Sequence, residues 1–314
     1  MDKPSLRALL FVALVGSTFL GAAACTDRGG ASRTDAGGGV SDTGSSPEID
    51  SAIVRTDSGP APGTCVDAAR WIYIVDQSST LLSFQPDTRT LTVLGSVSCP
   101  AGGAMPFSMA VDRNARAWVL HTDRRIYQVD LTGGLGCTAT SFVPGQLGYE
   151  AFGMGFVSDA ASSTETLYIA GGAMASIGLG MARLGTIDTG TLTVADIGAV
   201  GGSPELTGTG AGELWGFFPD STPPSVRQIN RATAATIATY DVSAIDSLGF
   251  GGASAWAFAF WGGRYYIFYQ GLLDTSTNIW SFTPSTGALV EVMHGIGRSI
   301  VGAGVSTCAP VELI

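Results

Sequence analysis

Five short apolar segments recur along the chain at nearly constant spacing, and this periodicity restricts the possible folds more than any other feature. They read Trp71-Ile72-Tyr73-Ile74-Val75, Ala117-Trp118-Val119-Leu120, Thr166-Leu167-Tyr168-Ile169, Glu213-Leu214-Trp215-Gly216-Phe217 and Arg264-Tyr265-Tyr266-Ile267-Phe268. Their first residues stand 46, 49, 47 and 51 positions apart. Each is short and rich in β-branched and aromatic residues, which suits a buried strand. A second marker follows each one: Phe84-Gln85-Pro86-Asp87-Thr88, Val129-Asp130-Leu131-Thr132-Gly133, Ile187-Asp188-Thr189-Gly190, Ile229-Asn230-Arg231-Ala232-Thr233 and Phe282-Thr283-Pro284-Ser285-Thr286-Gly287. These are strand ends running into turns built from residues that adopt turn geometry easily. A third marker precedes four of the segments: Met109-Ala110-Val111-Asp112, Met154-Gly155-Phe156-Val157, Leu206-Thr207-Gly208-Thr209 and Ala257-Phe258-Ala259-Phe260. Its fifth copy, Val301-Gly302-Ala303-Gly304-Val305, lies at the C-terminus instead.

Repeats of this length, each holding several short strands, predict an all-β fold, a β-propeller of five blades over residues 65–314. The displaced fifth marker predicts that the C-terminal strand completes the first blade, closing the ring and leaving no inner sheet edge open. A weak sixth unit within 170–181 or 199–212 stays open. The block from Met109-Ala110-Val111-Asp112 through Trp118-Val119 to Ile126-Tyr127-Gln128-Val129-Asp130-Leu131 closely resembles NHL-type and related bacterial β-propeller repeats, and the other four copies match more loosely. The resemblance implies the fold and leaves function open, because propellers host enzymes, binders and scaffolds.

Composition agrees. Charged residues are only 13% and glycines number 44, which disfavours helices and suits a strand-and-turn protein. A net charge of −10 argues against a nucleic-acid partner, whose phosphates need a basic face. Lys3 is the only lysine, so Schiff-base and Walker-type lysine chemistry is excluded from the rest of the chain.

The N-terminus reads as an export signal over residues 1–24. Lys3 and Arg7 precede an uncharged run from Ala8 to Ala24, which ends Leu20-Gly21-Ala22-Ala23-Ala24-Cys25. This ending resembles a bacterial lipobox, with Ala22 in place of the usual leucine. The resemblance implies acylation of Cys25, a membrane partner through the lipid anchor, and outer-membrane placement, since Thr26 follows the cysteine instead of aspartate. Plain cleavage after Ala24 and an uncleaved anchor helix are the alternatives. Residues 25–64 are Gly-, Ser-, Thr- and Asp-rich and read as a disordered tether.

No catalytic or cofactor motif emerges. His121 and His294 are the only histidines and sit in no metal-binding pattern, so neither metal nor cofactor is expected. Gly208-Thr209-Gly210-Ala211-Gly212 precedes a strand and reads as a turn, not a phosphate loop. Asp112-Arg113-Asn114 reads as an Asx turn, not a calcium loop.

In a propeller the loops leading into the innermost strands gather at one channel mouth. Here they are residues 99–107, 145–152, 198–206, 246–256 and 293–300. Their polar and aromatic members Tyr149, Glu150, Glu205, Trp256, His294 and Arg298 form the candidate ligand-binding mouth, with Gln77 and residues 121–125 joining the same side. The other Trp and Tyr residues are expected to pack between blades. Three functions stay open. One is a binding or scaffold module for a protein or glycan. Another is a lyase or hydrolase using Glu150, Glu205, His294 and Arg298. The third is a structural envelope component without a ligand.

Four cysteines besides Cys25, in an exported chain, predict two disulfides. The propeller topology selects one of three pairings. Cys65 and Cys308 both fall at the ring seam, while Cys99 and Cys137 fall on the outer edges of blades one and two.

Overall fold

The computed structural model describes residues 65–159, 163–246 and 252–312. The signal segment, Cys25 and the tether therefore lie outside the described residues, as do residues 247–251 of one mouth loop. Twenty strands form five four-stranded antiparallel sheets, so the chain folds as a five-bladed β-propeller. Blade one contains β1 (Ile72–Asp76), β2 (Thr80–Gln85) and β3 (Thr90–Ser96). Blade two contains β4 (Pro106–Val111), β5 (Arg116–His121), β6 (Ile126–Asp130) and β7 (Cys137–Ala139). Blade three contains β8 (Ala151–Ser158), β9 (Glu165–Gly172), β10 (Arg183–Ile187) and β11 (Val194–Ala199). Blade four contains β12 (Glu205–Gly208), β13 (Leu214–Phe218), β14 (Ser225–Ile229) and β15 (Thr236–Asp241). Blade five contains β16 (Ala253–Trp261), β17 (Arg264–Gly271), β18 (Asn278–Thr283) and β19 (Ala288–Met293).

The last strand, β20 (Ile300–Gly304), pairs with β1 and becomes the innermost strand of blade one. Tyr73 lies opposite Gly304, Ile74 opposite Ala303 and Val75 opposite Gly302. Every copy of the third sequence marker thus begins within an innermost strand. The segments 170–181 and 199–212 supply no sixth sheet: they are strand ends, a mouth loop and β12.

Burial follows each strand's place in the ring. β12 is buried at every position, whereas the outermost β3, β11, β15 and β19 carry only intermediate and exposed residues. Between blades the core is aromatic. Phe84 meets Tyr266 and Phe268 across blades one and five, Trp118 meets Phe156 across two and three, and Trp215 meets Tyr265 across four and five. These edge-on and tilted contacts fix adjacent sheets in one relative orientation.

Two disulfides complete the ring. Cys65–Cys308 joins the start of the described chain to the segment after β20, with Cα atoms 5.9 Å apart. Cys99–Cys137 ties the outer edges of blades one and two, with Cα atoms 4.9 Å apart. Such bonds persist in oxidising compartments outside the cytosol. Among the described residues no helix is long and apolar enough to cross a membrane.

Candidate functional site

Backbone hydrogen bonds show which loops share the mouth where the innermost strands begin. The N–H of Gln77 donates to the Ser299 carbonyl (3.0 Å), that of Thr122 to Met105 (2.8 Å), that of Glu150 to Gly172 (3.0 Å) and that of Thr277 to Arg298 (2.8 Å). In each case a loop ahead of an innermost strand meets the end or turn of a neighbouring hairpin.

The six candidate residues play different parts here. Tyr149 is 1% exposed and its hydroxyl donates to Asp196 Oδ1 at 2.9 Å. Burial first, then the Asp196 carboxylate, push its pKa above the usual phenol range. It packs against Phe152 and belongs to the blade core. Glu150 accepts from Arg124 Nη1 at 2.9 Å and from the Met174 N–H at 3.0 Å, stitching two loops together. Arg298 donates to Asp76 Oδ2 at 2.6 Å, and Asp76 also caps its own turn through the Ser78 and Thr80 N–H groups. His294 is exposed and bonds Glu291 three residues before it. His121 is buried against Tyr127, and desolvation lowers its pKa despite the opposing Val119 carbonyl and Asp123 charge. Among the described residues neither histidine hydrogen-bonds a serine, threonine or cysteine side chain, so no nucleophile–base pair forms around either of them.

Glu205 and Trp256 do come together, in the wall of one cleft. It is small and open to solvent, and is lined also by Phe107, Phe152, Ile177, Gly202, Ser203 and the backbone around Gly171 and Gly172. Glu205 is 3% exposed, and Ser108 Oγ donates to its Oε2 at 2.9 Å from two blades away. Desolvation raises its pKa well above the carboxylate range, outweighing the hydrogen bonds from Ser108 and the Met154 backbone.

Exposed aliphatic side chains line part of this mouth, on loops of blades two, three and five. Among the described residues twelve large hydrophobic side chains are exposed, and none is aromatic. Seven of the twelve stand on mouth loops: Met105 before β4, Val143 and Leu147 before β8, Leu179 and Met181 between β9 and β10, and Leu272 and Leu273 between β17 and β18. Four more lie on the outermost strands, and Val66 precedes β1. The loop Ile177-Gly178-Leu179-Gly180-Met181 needs its glycines, because Gly178 and Gly180 have φ of 77° and 70°, the left-handed region. Sequence reasoning sought polar groups and passed over this alternation of glycine with leucine and methionine, which was its visible signal.

The opposite mouth is polar and closed by a buried arginine. Arg113 Nε donates to Thr307 Oγ1 at 2.7 Å and its Nη2 to Ser158 Oγ at 2.8 Å, joining blades two and three to the segment after β20. Glu165 accepts from the Arg113 N–H at 2.7 Å and from Thr307 Oγ1 at 2.8 Å. Burial pushes its pKa up to about 7, against the lowering pull of these bonds and of the Arg113 charge. Asp112 forms the expected Asx turn, its Oδ1 accepting from the Asn114 and Arg116 N–H groups, and its Oδ2 receives the Trp118 indole N–H at 3.1 Å. Among the described residues no three His, Cys, Asp or Glu side chains converge as a metal site would require.

No protein-family model matches the chain, and no curated protein matches it. Solved structures similar to it include TolB from Acinetobacter baumannii, at 15% identity and TM-score 0.43, over 71% of this chain and 52% of that one. The chain thus spans about half of TolB's length. Hydrazine synthase from Kuenenia stuttgartiensis is similar at 15% identity and TM-score 0.41, over 78% and 69% of the two chains. The extracellular domain of BT4673 from B. thetaiotaomicron is similar at 12% identity and TM-score 0.38, over 74% and 28%.

Proposed function

We propose that this chain is an envelope-tethered binding module whose apolar mouth recognises a protein. One observation supports this reading above the others: most of the exposed aliphatic side chains gather on one side of the ring. Apolar side chains gathered on one side in this way mark interaction sites. Sugars stack on exposed aromatic faces, and among the described residues the exposed large hydrophobic side chains of this mouth are all aliphatic, which supports a protein over a glycan. The lyase or hydrolase reading finds no support, because Glu150, Arg298 and His294 are each bonded to a partner outside the set.

The rim is tested by replacing Leu179, Met181, Leu272 and Leu273 with serine. A control variant takes Val93, Ile237 and Val290 to serine on the outer strands. Capture of an envelope partner should fall at least tenfold for the rim variant and stay unchanged for the control. Equal capture by both, or binding that a glycan array reproduces with both variants, removes the proposal.

Tethering is proposed on the lipobox resemblance. Cys25→Ser should leave unprocessed precursor without acylation, globomycin should leave unprocessed precursor that still carries its diacylglycerol, and density-gradient separation should place the wild type in the outer membrane. Normal processing of Cys25→Ser rejects the anchor.

A further inference from the structure

The cleft below the rim has a chemistry of its own. Among the described residues that line it, Glu205 is the only ionisable one. Around it stand the aromatic side chains of Phe107, Phe152 and Trp256. A carboxyl among aromatic rings, without a cation, is an incomplete arrangement electrostatically. Ring faces attract cations, and a carboxylate in a desolvated wall is stabilised only when a positive group comes with it.

The chain does not supply that group itself. Among the described residues no arginine lines the cleft, and the chain has no lysine beyond Lys3. Three arginines on the mouth side are occupied, Arg124 with Glu150, Arg183 with Asp196 and Arg298 with Asp76, and Arg227 lies over the Phe218 ring. The net charge of −10 favours a basic visitor at longer range.

We infer that the cleft seats a cationic side chain, an arginine or lysine borne by a protein partner, with Glu205 as its counter-charge and the three aromatic residues as its walls. This rests on the reading of the mouth as a protein-binding face: the aliphatic rim takes the partner's apolar surface and the cleft takes its basic anchor. Burial disfavours the charged form of Glu205, and an arriving cation offsets the cost of ionising it. The same carboxyl would then discriminate against partners presenting a neutral residue at that point.

The test uses the capped peptide Gly-Leu-Arg-Leu-Gly and its citrulline twin, which keeps shape and hydrogen bonding but loses the charge. Calorimetric titration should show the arginine peptide binding at least tenfold tighter. Glu205→Gln, close to isosteric with the carboxyl and able to keep the Ser108 hydrogen bond, should bring the two peptides to parity with little change in melting temperature. Trp256→Leu provides a second variant, expected to weaken the arginine peptide at least threefold and leave the citrulline peptide unaffected. Parity in the wild type, a preference that survives Glu205→Gln, or no binding of either peptide overturns the inference. Agmatine binding as tightly as the peptide would assign the cleft to a small free cation instead and overturn the protein-borne source. The rim-serine capture assay is independent of all these outcomes: if capture still depends on the rim while the peptides show parity, the docking face stands and the cationic anchor falls.

Discussion

At the scale of single residues, the polar groups that matter most are desolvated carboxylates at the two mouths of the ring, Glu205 at one and Glu165 at the other. Glu165 shows how burial can outweigh a nearby cation. Its folded pKa of about 7 lies above the ordinary carboxylate value, so its contribution to stability is complete below about pH 4.5 and is lost as pH rises through 7. The charged and titratable groups facing it are Arg113 and Asp112. Glu165→Gln should therefore flatten the pH dependence: between pH 5 and 8 the wild type should lose up to about 3 kcal/mol more stability than the variant, a ceiling set by the size of the shift. Urea unfolding at both pH values measures it, and identical slopes for the two proteins would disprove the assignment. None of this was legible in the sequence. Glu165 stands in an unremarkable turn-to-strand stretch, and its partners Arg113 and Thr307 lie 52 and 142 positions away. Glu205, by contrast, was legible as a mouth residue, though its burial beside Ser108 was not.

At the scale of elements, the innermost strands explain why glycine recurs in the third marker. A Cβ on Gly155 would come within 2.9 Å of the Thr207 Cα on the next blade, and one on Gly302 within 3.0 Å of Met109. A Cβ on Gly208 would strike the Phe156 carbonyl oxygen. Five strands meeting around one axis approach more closely than side chains permit, so glycine and alanine occupy the contacts. Strand identity and order were readable, because alternation, turn residues and spacing are local properties of the chain. The face each strand turns toward its neighbour was not, since adjacent blades are nearly fifty residues apart in sequence. That is why Tyr149 looked like a mouth residue: it stands in the right loop, but its ring turns inward to Gly185 and Asp196.

At the scale of the molecule, ring closure sets stability. The seam is held by the β20–β1 ladder, the Cys65–Cys308 bond and the Arg113–Thr307 hydrogen bond. The seam disulfide spans 243 residues and Cys99–Cys137 spans 38. Loop-closure entropy then ranks them at about 5 and about 4 kcal/mol, both ceilings. Replacing Cys65 and Cys308 with serine should lower the melting temperature more than replacing Cys99 and Cys137. Calorimetry of the two double variants decides it; the reverse order would show that the seam is held by its ladder and that the disulfide adds little.

The sequence by itself determined the five blades, the strand that closes the ring and the cysteines that meet, because each follows from spacing along the chain and from a topology with few alternatives. Only the tertiary structure decided which side chains of the mouth remain available. Glu150 and Arg298 are consumed by ion pairs, Tyr149 by the core and His294 by its neighbour, while leucines and methionines of no evident chemistry stand exposed together around a cleft holding Glu205 and Trp256. Availability depends on partners brought from other blades. Those pairings are settled only when the ring closes and the loops of different repeats are pressed against one another.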